Sequence, residues 1–436
     1  MGEREEAEVV EVVDLGVDGE GVARSRRGLV LFLPGATLGD QVEVVVPPGR
    51  RNMARVEDFR IVRPSRLRVE PPCPHFGRCG GCDLQNLPYD EELRWKERRV
   101  RETIRRIGKL SPLVLPVEAA PDPYHYRHKV AMPLGGPPAR LGLYARGSHE
   151  VAGGVDCLVL RHTLLECLEA LEAELRLADF TPEEIPYVVA RASYARGDVL
   201  LTLVARRSPA KEVAAWARLR LPGRLPHLAS LWLSVREEET NRVLSPRLVH
   251  LALDERLEDE FLGLSLRLGP EDFFQVHPAM AERLFGRLVA SVPRGRRILD
   301  LYTGVGVSAL LLGPFAEEVV GVEAVPAQVE EAVASARRNA RENVRFVAGR
   351  VEDVLPELPE AEVAVLDPPR RGAPGVAQAL REKGVREVWY ISCDPATLAR
   401  DAGEFAQAGF TLETVEPFDM FPRTVHVESL AHFRRP

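Results

Sequence analysis

Six cysteines, five methionines and four tryptophans are all that this chain of 436 residues carries of those types. So few cysteines exclude a disulfide-stapled scaffold and leave metal or catalytic roles for the thiols present. No apolar run approaches the ~20 residues of a membrane-spanning helix. The start Met1-Gly2-Glu3-Arg4-Glu5-Glu6 lacks the basic then apolar pattern of a secretory leader. Together these predict a soluble, cytoplasmic protein with no membrane partner. Internal repeats and low-complexity tracts are absent, which excludes solenoids and arrays. An excess of basic charge is missing too: the net charge is −7, which by itself suggests no nucleic-acid partner.

What is there is ample apolar content, 45%, over a length that predicts two or three domains, with a monomer as the default state. Basic residues are unevenly spread. Arg94, Lys96, Arg98, Arg99, Arg101, Arg105, Arg106 and Lys109 face only Glu97 and Glu102, and shorter clusters lie at Arg24 to Arg27, Arg50-Arg51 and Arg127-His128-Lys129. Such patches can hold phosphates, although each alone reads more simply as a solvated face.

Short alternating runs at Ala7 to Val13, Leu29 to Leu33 and Gln41 to Val46, punctuated by glycines, predict a small N-terminal β-barrel over 1–64. A Cys- and Gly-rich loop at 73–82 and a helix from Tyr89 to about Lys109 follow, opening a mixed α+β region over 65–268. That early helix is a candidate to pack on the C-terminal domain. From 269 to 436, strand candidates ending at Leu301, Val322, Val347, Leu366, Ser392 and Val415 alternate with helical stretches. Alternation of this kind predicts an α/β, doubly wound parallel sheet of the Rossmann-like type.

Three strand ends carry chemistry. Asp300-Leu301-Tyr302-Thr303-Gly304-Val305-Gly306 is a strand end running into a Gly-x-Gly turn, and the next strand ends at Glu323, whose carboxylate suits two ribose hydroxyls. The third glycine of the dinucleotide fingerprint is missing, so S-adenosylmethionine fits better than NAD and a dinucleotide oxidoreductase is disfavoured. Leu366-Asp367-Pro368-Pro369-Arg370-Arg371-Gly372 follows the fourth strand, where Asp367 can orient a base or a methyl donor. Cys393, in Ser392-Cys393-Asp394-Pro395, closes the following strand. A thiolate there can add to C6 of a pyrimidine and turn C5 into a carbon nucleophile. A base must later remove the C5 proton, and Glu428, in Pro422-Arg423-Thr424-Val425-His426-Val427-Glu428, is the candidate. Spacing alone describes Glu428 equally as a surface residue near the C-terminus. Cys73, Cys79 and Cys82, with a fourth ligand from Cys157 or Cys167, can hold an iron–sulfur cluster or a structural zinc.

These motifs resemble the RNA uridine-5-methyltransferase family, and within it the members that carry a TRAM barrel and an iron–sulfur cluster. The resemblance covers nearly the whole chain. It implies Cys393 as nucleophile, Glu428 as base, and Gln275, Tyr302, Gly304, Gly306, Glu323 and Asp367 around S-adenosylmethionine. It also implies Cys73, Cys79, Cys82 and Cys157 on a 4Fe–4S cluster, leaving Cys167 as a core cysteine, and Arg127 and Lys129 facing RNA. His277 stands where the family usually has Asn, in Asp272-Phe273-Phe274-Gln275-Val276-His277. The implied substrate is a uridine flipped out of a loop or unfolded stem, in ribosomal RNA ahead of transfer RNA. The competing readings are RNA cytosine-5 methylation, disfavoured because Pro368-Pro369 carries no cysteine, and a non-catalytic RNA-binding or maturation factor.

Overall fold

The structure, a computed structural model, describes residues 7–46, 52–238 and 242–436. The Arg50-Arg51 pair and the first six residues lie outside the described residues. The chain divides into two compact units. One comprises Met1–Lys96, Leu143–Gly153 and Phe421–Val425; the other comprises Glu97–Gly142, Gly154–Met420 and His426–Pro436. Among the described residues no helix is long and apolar enough to cross a membrane.

The first unit opens with β1 (Ala7–Leu15), β2 (Gly21–Arg24), β3 (Val30–Leu33), β4 (Gln41–Val45), β5 (Met53–Arg55) and β6 (Phe59–Arg63). They form one six-stranded sheet in the order β5-β3-β2-β1-β4-β6. Period-2 alternation sets its faces: Val10, Val12, Leu31, Leu33, Val42 and Val44 are buried together, while Val9 and Val13 are exposed. Phe32 lies on the opposite face of β3 from Leu31 and Leu33, half-buried and in register with Arg55. Beyond the sheet, Leu15, Leu38, Leu84, Leu87, Trp95 and Val425 make a second small core.

Helix α1 (Tyr89–Thr103) begins in this unit with Asp90, Glu91 and Glu92 in its first turn, which complements the positive end of the helix dipole. It runs into a single π-helical turn, Ile104–Gly108, and ends on Lys109 in the left-handed conformation. The helix expected to run unbroken to Lys109 therefore changes character at Thr103. Gly108 shows why: a Cβ there would stand 2.8 Å from the carbonyl oxygen of Ala399, so only glycine allows the approach. Most of the basic run on α1 is ion-paired along the helix, Arg94 with Asp90 and Glu91, Arg101 with Glu97, and Arg105 and Arg106 with Glu102. Lys96 is the exception and is fully buried.

In the second unit β7 (Leu113–Val114), β8 (Lys129–Gly135), β9 (Arg140–Leu141), helix α2 (His162–Ala178), β10 (Tyr187–Ala192), β11 (Val199–Arg206), α3 (Ala210–Arg220), β12 (Leu228–Arg236) and β13 (Leu248–Leu253) come first. All but β7 build a six-stranded sheet, β13-β12-β11-β10-β8-β9, with α2 and α3 packed on it. A hairpin of β14 (Leu257–Phe261) and β15 (Leu264–Leu268) follows.

The rest of the unit alternates. Helix α4 (Pro278–Ser291) precedes β16 (Arg297–Leu301), α5 (Val307–Leu312), β17 (Glu318–Glu323), α6 (Pro326–Arg338) and β18 (Val344–Ala348). Then come α7 (Val351–Val354), β19 (Val363–Leu366), α8 (Val376–Glu382), β20 (Glu387–Ser392), α9 (Pro395–Gln407), β21 (Thr411–Phe418) and β22 (Glu428–Arg434). The sheet runs β18-β17-β16-β19-β20-β22-β21-β7. Its first five strands are parallel, as the alternation predicts, but β22 pairs antiparallel with both β20 and β21. That strand is not legible as one: Glu-Ser-Leu-Ala-His-Phe-Arg mixes polar and apolar residues because its polar groups are buried inside the sheet rather than facing water. Val100 and Ile104 join the core of this sheet together with Leu299, Leu366, Tyr390, Leu398 and Phe405.

Candidate active site

The chain leaves β16, builds outward through β17 and β18, and returns to β19 on the other side of β16. A crevice opens at the carboxyl edge where the direction reverses, the place where ligands bind in open α/β sheets. Tyr302, Asp367 and Cys393 each follow directly on the end of one of three adjacent parallel strands there, β16, β19 and β20.

The turn after β16 is held in left-handed backbone at three residues, Tyr302 (φ 63°), Gly304 (φ 58°) and Gly306 (φ 86°). At Gly306 a Cβ would also collide with the Phe346 ring at 2.7 Å, so glycine is demanded twice over. Asp300, buried, accepts hydrogen bonds from Thr303 Oγ1 and from Ser308 Oγ (2.7 Å) and so staples the turn to the first residues of α5. The Gly304 N–H donates to Glu323 Oε2 (3.1 Å), and the Val325 N–H donates to Glu323 Oε1 (2.9 Å). Each oxygen keeps a lone pair for a hydroxyl donor. Tyr302 donates through its hydroxyl to Glu352 Oε1 at 3.4 Å.

Register brings the proposed nucleophile and base together. Ser392 at the end of β20 faces Ser429 in β22. One step further in this antiparallel ladder, Cys393 stands opposite Glu428, and residues directly opposite have Cα atoms only about 4.5–5.5 Å apart. Glu428 is buried, so its reading as a surface residue is overturned. Cys393 and Asp367 are half-buried. Burial pushes the Glu428 carboxyl well above the usual range, and the Asp367 carboxylate adds to the effect. Burial, with Asp300 beside it, pushes Asp367 up to about 7. Burial and the two carboxylates Glu428 and Asp367 push the Cys393 thiol up to about 11, against the opposing pull of Arg370. Cys393 also immediately precedes the N-cap of α9, where Asp394 accepts from Thr397 N–H at 2.7 Å, and the helix dipole favours a thiolate.

Residues that sequence reasoning missed hold the Asp-Pro-Pro-Arg loop in place. Asp401, buried in α9, accepts from the Ala373 N–H (2.8 Å) and from the Tyr390 hydroxyl (2.5 Å). Arg400 pairs with Asp401 (2.7 Å), and Thr397 Oγ1 donates to the Arg370 carbonyl (2.9 Å). Their only sequence signal is position: Thr397, Arg400 and Asp401 share a face of the helix that starts after Cys393.

Gln275 is buried in the Gly269–His277 segment, which Asp272 organises by accepting from Gly269 N–H (2.7 Å) and Arg256 (2.8 Å). The carbonyl of Asp272 accepts from Arg191 and from Lys129 Nζ at 3.4 Å. Lys129 is therefore turned into this segment, and burial brings its ammonium down to about 7. Arg127 donates through Nε to the Lys129 carbonyl (3.0 Å). His277 caps α4 by accepting from the Met280 N–H (3.4 Å) and stacks on Tyr126 with ring centroids 4.7 Å apart. Burial pushes it down to about 3, so it is neutral at pH 7.

All six cysteines are thiols, and Cys167 lies buried on α2 as a core residue. In the first unit the Cys79 sulfur accepts from the Gly81 N–H at 3.4 Å, and Cys79 bridges to Ala145. A Cβ on Gly153 would stand 3.1 Å from that sulfur, so glycine keeps its surroundings open. Thiol donors with glycine-made room suit an iron–sulfur cluster in chemistry. Among the described residues, however, no three His, Cys, Asp or Glu side chains gather as a ready metal site.

Residues 253–435 match the model of the tRNA (uracil-5-)-methyltransferase family. An uncharacterized RNA methyltransferase of Clostridium tetani is 31% identical over 96% of this chain and 94% of its own length. Another of Thermosynechococcus vestitus is 35% identical over 95% and 94%. Among solved structures, the Pyrococcus abyssi tRNA (uracil-54, C5)-methyltransferase in complex with S-adenosyl-L-homocysteine superposes with a TM-score of 0.76 at 21% identity, covering 98% of this chain and 100% of that one. The two share a fold of mixed α/β methyltransferase type. With relatives this similar over nearly its full length, the chain belongs to the RNA uracil-5-methyltransferase family.

Proposed function

We propose that this chain methylates C5 of a uridine in RNA through a covalent adduct between Cys393 and C6. The observation that carries the reading is the antiparallel register that sets Cys393 opposite Glu428 at the carboxyl edge of the sheet. S-adenosylmethionine, when bound, supplies an electrophilic methyl group on a sulfonium. Tyr302, Gly304, Gly306 and Glu323 line the turn that would hold it, with Gln275 as a further contact. Cys393 Sγ gives up its proton and bonds to C6, and the C5=C6 electron pair moves onto C5 and the adjoining carbonyl. C5 then takes the methyl group, Glu428 removes the remaining C5 proton, and the returning electrons re-form C5=C6 and break the Sγ–C6 bond.

The raised groups suit this sequence only if substrate changes them. A thiol near 11 is about one part in 10⁴ thiolate at pH 7, so proton loss must accompany docking of the base. Asp367, near 7, is the one group of the three poised to accept a proton at neutral pH. Arg370 supplies the cation that favours the thiolate. Cytosine-5 methylation would need a cysteine in the Pro368-Pro369 segment, where there is none.

We read the chain in three parts, an RNA-binding TRAM barrel at 1–64, a cluster-bearing region at 65–268 and the methyltransferase domain at 269–436. Cys73, Cys79, Cys82 and Cys157 would hold the 4Fe–4S cluster, which supplies a structural, RNA-facing brace and no electron to the reaction. Arg127 and Lys129 are assigned to the RNA side. Ribosomal RNA is the proposed substrate class, from the combination of barrel and cysteine loop. Transfer RNA is the second reading, favoured by the substrate named for the Pyrococcus abyssi enzyme of the same fold.

The test is methyl transfer from labelled S-adenosylmethionine to unmodified RNA separated into ribosomal and transfer fractions, followed by nucleoside analysis. Label in 5-methyluridine from the ribosomal fraction is expected. Label from the transfer fraction alone moves the substrate to the second reading, and label in 5-methylcytidine overturns the uridine assignment.

A further inference from the structure

Glu428 is the first residue of β22, paired with Phe418 at the end of β21, so it stands where the β21–β22 hairpin closes. The tip of that hairpin, Phe421–Val425, is held inside the first unit by a buried ionic network that the reaction does not use. Arg423 sits in left-handed backbone (φ 67°), a conformation that costs a non-glycine residue about 1–3 kcal/mol unless its surroundings impose it. The surroundings do so at both polar groups of its peptide. Its N–H donates to Glu92 Oε1 (2.8 Å), and its carbonyl accepts from the N–H groups of Asp83 (2.8 Å) and Leu84 (3.1 Å).

The side chains repeat the hold. The Arg423 guanidinium donates to the Leu87 carbonyl (3.2 Å), pairs with Glu92 Oε2 (3.4 Å) and lies over the Tyr89 ring at 5.1 Å. Lys96 donates to Glu92 Oε1 (2.8 Å) and to the Phe421 carbonyl (3.2 Å). The Val425 N–H donates to Asp83 Oδ2 (3.2 Å). Glu92 and Lys96 are fully buried, and Arg423 nearly so.

A buried ionic group of this kind is poor value as a source of stability, because desolvation offsets most of its attraction. What it does supply is a single geometry for the segment it grips. Val425 is three residues from Glu428, a span of at most about 10 Å. A base must come within hydrogen-bond reach of its proton, and a displacement of about 1 Å can cost on the order of 100-fold in rate. We infer that Glu92, Lys96 and Arg423 are positioning residues for Glu428, fixing the hairpin tip so that the base meets the C5 proton. Cys393 follows β20 and takes its place from a different element, so the network governs release of the product and not formation of the adduct.

This inference rests on the covalent reading above, and its signature is specific to one step. Arg423→Gln, incubated with S-adenosylmethionine and unmodified RNA, is expected to accumulate a methylated protein–RNA adduct resolved on a denaturing gel. Release of methylated RNA should slow at least tenfold while affinity for S-adenosylmethionine, read by calorimetry, is unchanged. Arg423→Lys keeps the charge beside Glu92 but not the planar fork, and should slow release about threefold. If Arg423→Gln fails to fold, Arg423→Lys carries the same expectation at that smaller size. Glu428→Gln runs in parallel as the reference. A trapped adduct with Glu428→Gln, together with free turnover or adduct-free slowing in both Arg423 variants, overturns the positioning role alone. No adduct with Glu428→Gln removes the covalent reading and this inference with it.

Discussion

Two buried groups of charges in this protein are built on opposite principles. In the hairpin-tip network one carboxylate, Glu92, faces two cations, Lys96 and Arg423, and the lysine and arginine find further partners in backbone carbonyls. In the candidate active site the carboxyls of Asp300, Asp367 and Glu428 are buried near one another, and the thiol of Cys393 joins them. Compensation fixes a geometry; its absence leaves groups whose protonation can change when a ligand arrives. Perturbed groups of the second kind mark functional sites, and the first kind marks what holds such a site still.

The contrast breaks most sharply at Cys393. Replacing it with Ala removes the nucleophile that makes C5 reactive, and methyl transfer should fall by at least about 10⁴-fold. Affinity for S-adenosylmethionine, measured by calorimetry, should stay within about twofold, because the turn at Gly304 and Glu323 is built without the thiol. Loss of cofactor binding in step with activity would make Cys393 a structural residue instead.

In the compensated network the expected damage is to stability. Lys96→Met deletes one buried cation and leaves Glu92 with Arg423 only, which should cost about 3 kcal/mol, the lower end for a broken buried pair. Chemical denaturation followed by tryptophan fluorescence reads the difference, and Trp95, buried and donating to Asp14 Oδ1 at 3.1 Å, reports on this unit. An unchanged midpoint would show that Lys96 contributes nothing to the clamp.

How far the sequence disclosed this contrast depends on whether a residue's role is local. The turn at Tyr302 to Gly306, the strand ends at Asp367 and Cys393, and the core cysteine Cys167 were legible because a strand end followed by glycine, proline or a helix start has one dominant reading. Glu428 was nominated by chemistry alone, since its burial depends on β22 entering the sheet between β20 and β21, a pairing of distant segments. Lys96 and Arg423 were opaque for the same reason. Lys96 looks like its neighbours in a basic helix, and only contacts with residues more than three hundred positions away distinguish it from the solvated Arg101. Lys129 was read for charge, yet burial against the Gly269–His277 segment decides its state.

The uncompensated cluster should announce itself in the pH profile. Glu428 must be a carboxylate to take the C5 proton and Asp367 a carboxylate to accept one, and both are raised. Protonation below their folded values removes the active form, so the rate should drop about tenfold per pH unit as pH falls below 7. Single-turnover methyl transfer across pH 5–9 checks this, and a flat profile between pH 5 and 7 would mean that neither carboxylate acts in a rate-determining step.

The smallest effect is the most diagnostic of the comparison, because its sign is opposite to that of Lys96→Met. Asp367 moves from the usual value of 3.8 to about 7 on folding, so the folded state holds a proton that the unfolded state has released. Its stability contribution is therefore intact below about pH 4 and is lost as pH rises through about 7. Asp367→Asn removes the ionisation and should stabilise the protein at pH 8 by on the order of 1 kcal/mol, allowing for its partial exposure, with no gain at pH 4. Denaturation of the two proteins at both pH values, with methyl transfer assayed alongside, tests the trade. A more stable, inactive variant at pH 8 means that the carboxylate is kept against the preference of the fold. A less stable one would mean that Asp367 holds the loop together, and that both clusters are scaffolding.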